Sequence, residues 1–198
     1  MRDPSATRRS LLKAGRAEFA RHGLAGGRIA RIAADAGVNK ERIYANFGSK
    51  EALFEEVVDD ALEDLLDLVA MPPVGATTPE AAADYVARVS AYHREHPELM
   101  RLVQWEALER RTRPDPAGQR AARYRAKVQA LAERLSISKE RAGPILVVLI
   151  LLAAGPLAMP NITGLIMPSE TQNPGETLGE WLPQVAAALV ASAARPSP

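Results

Sequence analysis

The chain has 198 residues, 47% of them hydrophobic, which is enough to bury one large core or two small ones. It contains no cysteine, which excludes disulfides, thiolate metal sites and cysteine nucleophiles and favours the reducing cytoplasm. Residues 1–50 carry 11 Lys and Arg against 4 Asp and Glu, a net charge of +7, and the rest of the chain carries −6. A basic N-terminal quarter joined to an acidic remainder predicts a polyanion-binding head on a body with a different role.

The first 50 residues predict three helices. Apolar residues recur at three- and four-residue steps over 7–22, which predicts a helix that Gly23 ends, and Gly15 inside it indicates close packing of a neighbour. A short second helix is predicted over 29–36, followed by Gly37, which can adopt the positive φ of a tight interhelical turn. Asn39 is a good N-cap for a third helix over 40–46. A helix pair of this form is typical of a helix-turn-helix, whose second helix lies in the DNA major groove.

Residues 28–50 supply the side chains from which we predict DNA contacts. Lysine and arginine can donate to guanine acceptors, and Glu41 can accept from a cytosine amine. Tyr44 and Lys50 suit phosphates, although Tyr44 could instead be a half-buried core aromatic; Phe47 is expected in the core. The predicted DNA-binding residues are Arg28, Asn39, Lys40, Glu41, Arg42, Tyr44, Asn46 and Lys50.

The remaining residues also predict helices and no strand. Ser49 caps a connecting helix to about residue 69, whose apolar pairs repeat every four residues and therefore wind around its surface. After a break at 71–77, helices are expected over 78–95, from Pro97, from 115–116, from Ser138 to about 158, and over about 176–194. Residues 161–174 are expected to form a loop, and Pro183 is expected to kink the last helix or delay its start.

The segment between Arg141 and Glu170 carries no charge, so a membrane span has to be considered for the helix after Ser138. Its unbroken aliphatic run, 145–154, has ten residues, whereas a span needs about 20. We therefore expect a buried helix in a core or a subunit interface, and no membrane partner.

No catalytic or metal site is predicted. His93 and His96 have the spacing of a helical metal pair, but Pro97 takes His96 out of the helix. No nucleophile elbow, phosphate loop or dinucleotide fingerprint occurs in the sequence, so neither a cofactor nor an enzyme is expected. One alternative from another class stays open, namely a helical enzyme or membrane-associated protein that uses the basic head for another polyanion.

Residues 8–54 resemble the DNA-binding domain of the TetR (tetracycline repressor) family. The matching residues are Leu11, Leu12, Ala14, Phe19 and Gly23 in the first helix, and Ile32, Ala33, Ala36, Gly37, Val38, Ile43, Tyr44, Phe47, Ser49, Lys50, Glu51 and Leu53 in the next three. They cover about a quarter of the chain.

The chain departs from the family pattern at several positions in this region. Gly27 and Arg28 stand where the family usually has a threonine pair that caps the second helix and touches phosphate, which assigns the phosphate role to Arg28. Glu41 and Arg42 replace a small pair, so the base contacts are expected to be particular to this protein. Glu18 replaces a small or apolar residue of the first helix.

The resemblance implies an all-α regulator with a three-helix DNA-binding domain at 1–50 and a helical ligand-binding and dimerisation domain at 51–198, of which 51–69 is the connecting helix. It implies a homodimer formed by the helices at about 140–158 and 176–194, and a near-palindromic operator of double-stranded DNA. It also implies a small effector that shifts the separation of the two heads and so releases the repressor from DNA. The candidate effector residues, each with core packing as the alternative, are Tyr85, Tyr92, Trp105 and Glu106, with His93 and Gln104 beside them.

Overall fold

A computed structural model of the chain describes residues 4–68, 78–109, 118–167 and 174–193, which form ten α-helices and no strand. The prediction of an all-α fold is therefore confirmed. The helices are α1 (Pro4–Gly26), α2 (Ile29–Asp35), α3 (Lys40–Phe47), α4 (Lys50–Leu68), α5 (Thr78–Glu95), α6 (Pro97–Glu109), α7 (Gln119–Leu135), α8 (Lys139–Ala158), α9 (Pro160–Ile166) and α10 (Pro174–Ala193).

Two predictions about the C-terminal region are wrong, and both concern proline. The expected loop at 161–174 contains most of α9, because a proline in the first helical turn lacks only an N–H that has no partner there. At Pro183 the expected late start is wrong, because the last helix already begins at Pro174, and the alternative, a kink, stays a prediction. Leu182 and Ala186, which lie on either side of Pro183 in the sequence, are buried, and burial of an apolar face supplies most of the stability of a helix within a protein. The predicted break at 71–77 and the predicted start at 115–116 lie outside the described residues.

The described helices belong to two compact units. One unit comprises Met1–Asp64 and His96–Arg113, and so contains α1 to α3, most of α4, and α6. The other comprises Leu65–Glu95 and Pro114–Pro198, and contains the end of α4 together with α5 and α7 to α10. The functional boundary that we place at residue 50 from the sequence stays a prediction.

The first unit has its core between α1 and the helices that follow it. Phe19 and Phe54 meet edge to face with ring centroids 5.2 Å apart, and Ile32 and Ile43 are fully buried. At Gly15 an added Cβ would lie 2.8 Å from Cγ2 of Val57, so a larger residue would overlap α4. The close packing that this glycine indicates in the sequence is therefore confirmed.

Glu18 is a buried carboxylate of α1 that holds the start of α2. Its Oε1 accepts the backbone N–H of Arg28 at 2.7 Å, and Oε1 and Oε2 both accept from Nε of Arg31 at 2.9 Å. Arg28 is the N-cap residue of α2 and makes no side-chain cap of its own, so Glu18 supplies the acceptor that this helix end lacks locally. Burial raises the pKa of Glu18, but the hydrogen bonds from Arg31 and Arg28 outweigh it, and the net result is a lowered pKa.

We predict that Glu18→Gln lowers the free energy of unfolding by about 1–3 kcal/mol at pH 7, because it removes charge-assisted hydrogen bonds from a buried acceptor. Since the folded-state pKa of Glu18 is lowered, its contribution is complete above the unfolded value and is lost as the pH falls through the folded value. The difference in the free energy of unfolding between wild type and variant should therefore become smaller as the pH is lowered. Urea unfolding of both proteins, from pH 7 down into the acid range, measures this difference.

Glu51→Gln is the matched control, because Glu51 is exposed on α4 of the same unit. It should change stability by less than about 0.5 kcal/mol. A Glu18→Gln variant as stable as this control at pH 7 would show that the buried carboxylate does not hold α2.

Candidate nucleic-acid interface

The helices α2 and α3 form the helix-turn-helix that the sequence predicts. Gly37 in the turn between them has a φ of 65°, a conformation that glycine adopts without strain. Asn39 is the N-cap of α3, and its Oδ1 accepts the backbone N–H of Arg42 at 3.2 Å. The turn and the cap together fix where α3 begins.

One face of α3 is buried and the other is open. Ile43 is 0% exposed and Phe47 is 7% exposed, which confirms Phe47 as a core residue. Half of the Tyr44 side chain is exposed, so it is accessible to a phosphate while it keeps part of its packing. The residues exposed along this helix are Lys40, Glu41, Arg42, Tyr44 and Ala45.

The other predicted DNA-binding residues have partners within the protein or lie beside α3. Asn46 is partly exposed, and its Nδ2 donates to the carbonyl of Arg42 at 2.7 Å. Nζ of Lys50 donates to the carbonyl of Ala25 at 3.2 Å, and the other two ammonium protons can still reach a phosphate. Arg28 is exposed at the start of α2.

Arg8 supports α3 from behind and was not identified from the sequence. Its guanidinium lies 4.7 Å from the centroid of the Phe47 ring, and Nη1 donates to the carbonyl of Asn46 at 3.4 Å. It also pairs with Glu56 of α4. Asn46 and Glu56 are 38 and 48 positions away from Arg8 in the chain, so no local pattern could have revealed these contacts.

The end of α1 is held by α6 and by the start of α4. Gly23 interrupts the helix with a φ of 66°, and the carboxylate of Glu109 accepts the backbone N–H groups of Leu24 and Ala25. The indole of Trp105 lies against Gly23, where an added Cβ would be 2.8 Å from the ring. With the Lys50 bond, both the N–H and the carbonyl of Ala25 are held by side chains of other helices.

The four candidate effector residues are divided between the two units. Trp105 and Glu106 lie on α6, and Tyr85 and Tyr92 lie on α5, where they are 3% and 5% exposed. Burial raises the pKa of Tyr85 to about 12, and Nζ of Lys127 lies 5.6 Å from its ring centroid. Their role in binding an effector stays a prediction.

A cavity of about 230 Å³ lies in the second unit between α5, α8, α9 and α10, and none of the four candidates lines it. His93 is buried, whereas His96 lies between α5 and α6, as Pro97 predicts. Across 4–68, 78–109, 118–167 and 174–193, no group of three or more potential metal ligands occurs.

Comparison with known families and proteins agrees with this architecture. The family model for bacterial regulatory proteins of the tetR family matches residues 11–57, and the model for the tetracyclin repressor-like C-terminal domain matches residues 82–177. The HTH-type transcriptional repressor SCO4008 of Streptomyces coelicolor is 43% identical over 133 residues, which cover 67% of this chain and 66% of that protein. The HTH-type transcriptional repressor NicS of Pseudomonas putida is 35% identical over 103 residues, which cover 52% of this chain and 49% of that protein. The chain thus spans about two thirds and about half of the lengths of these relatives.

Solved structures share the fold over nearly the whole chain. SCO4942 from Streptomyces coelicolor superposes with a TM-score of 0.75 at 25% identity, covering 92% of this chain and 97% of that one. A transcriptional regulator from Rhodococcus (RHA1_ro04179) superposes with a TM-score of 0.72 at 18% identity, covering 96% and 99%. The helix-turn-helix, the helical second unit and the two family models agree. The chain belongs to the TetR family of bacterial regulatory proteins.

Proposed function

We propose that this protein is a transcriptional repressor that binds a near-palindromic operator as a homodimer and is released from it by a small ligand. The observation that carries the proposal is the exposed polar face of α3, held outward by the buried Ile43 and Phe47. The two curated relatives are both named transcriptional repressors, which supports the same role.

The chemistry of α3 suits direct readout of base edges. Arg42 can donate two hydrogen bonds to a guanine, Lys40 can donate to the same kind of acceptor, and Glu41 can accept from a cytosine amine. Tyr44 lies on this face, Arg28 is exposed at the start of α2 and Lys50 begins α4; they carry the hydroxyl or positive charge that phosphates bind. The contacts at Arg8 and Glu18 keep α3 and α2 in place and so orient these groups.

We predict that Arg42→Ala weakens operator binding by about 1–3 kcal/mol and relaxes the preference at one base pair in each half-site. The variant should fold, because the hydrogen bonds of Asn39 and Asn46 at this position use the backbone of Arg42, which alanine keeps. Binding to a library of operator variants measures both effects. An equal loss of affinity for every sequence would argue against a base contact.

We predict that Lys50→Ala weakens binding to all duplexes alike and lowers the slope of log K against log salt by about one, as expected for one lost phosphate contact. Lys139→Ala is the control, because Lys139 is exposed at the start of α8 in the other unit. Because Lys50 also bonds Ala25, thermal unfolding must show that the variant is folded at the binding temperature. An unchanged salt slope in the folded variant would remove Lys50 from the interface.

An apolar surface on α8 to α10 supports the homodimer. Large side chains are left exposed there, namely Val147, Val148, Leu151, Met159, Ile162, Leu165, Ile166 and Trp181. Among the described helices α8 alone is long and apolar enough to cross a membrane, with a mean hydropathy of 2.0 and 28% of its apolar stretch buried. A second copy that covers this surface would remove it from water, as subunit interfaces do.

We predict that Leu151→Glu gives folded monomers. The side chain is 62% exposed in the single chain, so the charge does not disturb the core, but it would be buried without a partner in a dimer. Light scattering after size exclusion measures the mass. Ala122→Glu, at an exposed position of α7, should leave the mass unchanged.

Two results would contradict the dimer proposal. One is a Leu151→Glu protein with the same dimer mass as the wild type, and the other is recovery of the wild-type protein mainly from membranes.

Ligand release is supported by the size and construction of the second unit. A protein that only binds DNA does not need a further helical unit with its own core and cavity. A ligand that binds the DNA-incompetent state better by about 1–3 kcal/mol would loosen operator binding roughly 5- to 150-fold.

A further inference from the structure

The cavity in the second unit has apolar walls and one cationic group. Its apolar lining includes Ala153, Pro156, Leu157, Leu178 and Leu182, contributed by α8 and α10. The polar side chains that reach it are Ser90, Arg94 and Thr163. An apolar cavity of about 150 Å³ can hold benzene, so 230 Å³ leaves room for a body of roughly eight to ten carbons.

Arg94 is the donor that this cavity offers to a ligand. The hydroxyl of Ser90 already donates to the carbonyl of Ala153 at 3.0 Å, and that of Thr163 donates to the carbonyl of Met159 at 3.0 Å. For the Arg94 guanidinium, no hydrogen bond or ion pair is found with any residue that the structure describes. Its N–H groups therefore remain available at the cavity that Arg94 helps to line, and the residue is also exposed to solvent.

Gly179 of α10 makes room for this guanidinium. A Cβ added at Gly179 would lie 2.9 Å from Nη1 of Arg94, closer than packed atoms approach. Glycine inside a helix costs about 0.5–1 kcal/mol relative to alanine, so α10 gives up stability at the position where the guanidinium lies against it.

We propose that this cavity binds a small amphipathic acid, with the carboxylate on Arg94 and an aliphatic or aromatic body between α8, α9 and α10. A guanidinium matches a carboxylate with two parallel N–H donors, and the apolar walls accept the rest of the molecule. An organic cation of the same size would be repelled by Arg94, and a neutral alcohol would lack the charge-assisted bonds. This acid would be the ligand that releases the repressor from DNA. Its effect on DNA binding rests on the proposed function, whereas its binding to the cavity does not.

Calorimetric titration of the full chain with three probes of equal length tests the ligand class. The probes are octanoate, 1-octanol and octylammonium. Octanoate should bind at least about tenfold more tightly than octanol, since hydrogen bonds to charged groups are the stronger kind, and octylammonium should bind most weakly. Absence of octanoate binding, or equal binding of the three probes, would overturn the proposal.

Two substitutions test the position of the carboxylate. Arg94→Met removes the charge and keeps the length of the side chain, so octanoate affinity should fall about tenfold while octanol affinity stays the same. Gly179→Ala should lower octanoate affinity in the same direction but by less, because the guanidinium ends a flexible side chain that can move away from the new Cβ, and it should not weaken the helix. Arg125→Met, at an exposed position of α7 outside the cavity lining, is the control and should leave both affinities unchanged. Unchanged octanoate binding by Arg94→Met would place the acid elsewhere and overturn the proposal.

The operator assay separates this inference from the proposed function. If octanoate binds with the expected dependence on Arg94 but leaves operator affinity unchanged, the cavity assignment stands and release by a ligand at this cavity fails. If DNA binding itself is absent, the titrations still decide the ligand class, because they are made without DNA.

Discussion

The buried carboxylate of Glu18 is the interaction on which the geometry of the head depends. It accepts both a backbone N–H at the start of α2 and the guanidinium of Arg31 one turn later, so it ties this short helix to α1 at two points. A buried charge is tolerated only when its partners are complete, and therefore the arrangement has one favourable form rather than a range of forms. The turn at Gly37 connects α2 to α3, so the position of α2 also determines the position of α3. Glu18 of α1 therefore helps to set the direction of the exposed side chains of α3.

The C-terminal end of α1, which follows Glu18 in the chain, also has backbone groups that are anchored by side chains of other helices. Gly23 breaks the helical hydrogen bonding, and the N–H groups that follow are accepted by Glu109 of α6. The carbonyl of Ala25 is bonded by Lys50 at the start of α4. Side chains of α4 and α6 therefore meet α1 at one residue, Ala25, so a displacement of α6 would also affect the ammonium of Lys50 that we propose for a phosphate contact.

The parts of the structure that could be predicted from the sequence are those with a local cause. Gly37 and Asn39 predict the turn and the cap of α3 because positive φ and side-chain capping involve residues that are adjacent in the chain. Glu109 could not be predicted in this way, since its partner Leu24 is 85 positions away and any exposed acid of α6 would fit the same pattern. A loop is expected over 161–174, but Pro160 stands at the first position of the short helix α9, where proline favours the start of a helix. The four candidate effector residues are aromatic or acidic, whereas the cavity that the fold creates is lined mainly by small and aliphatic residues from four helices.

The packing around Gly23 limits how this region can change in evolution. A Cβ at Gly23 would lie 2.7 Å from Oε1 of Glu109 and 2.8 Å from the ring of Trp105, and the backbone there has the left-handed conformation that L side chains rarely adopt. A larger residue at this position would therefore lose the indole contact and the carboxylate bonds at the same time. Positions 23, 105 and 109 are therefore physically coupled. A side chain at position 23 would require the tryptophan and the glutamate to move or to be exchanged, so we expect the three residues to change together among related chains.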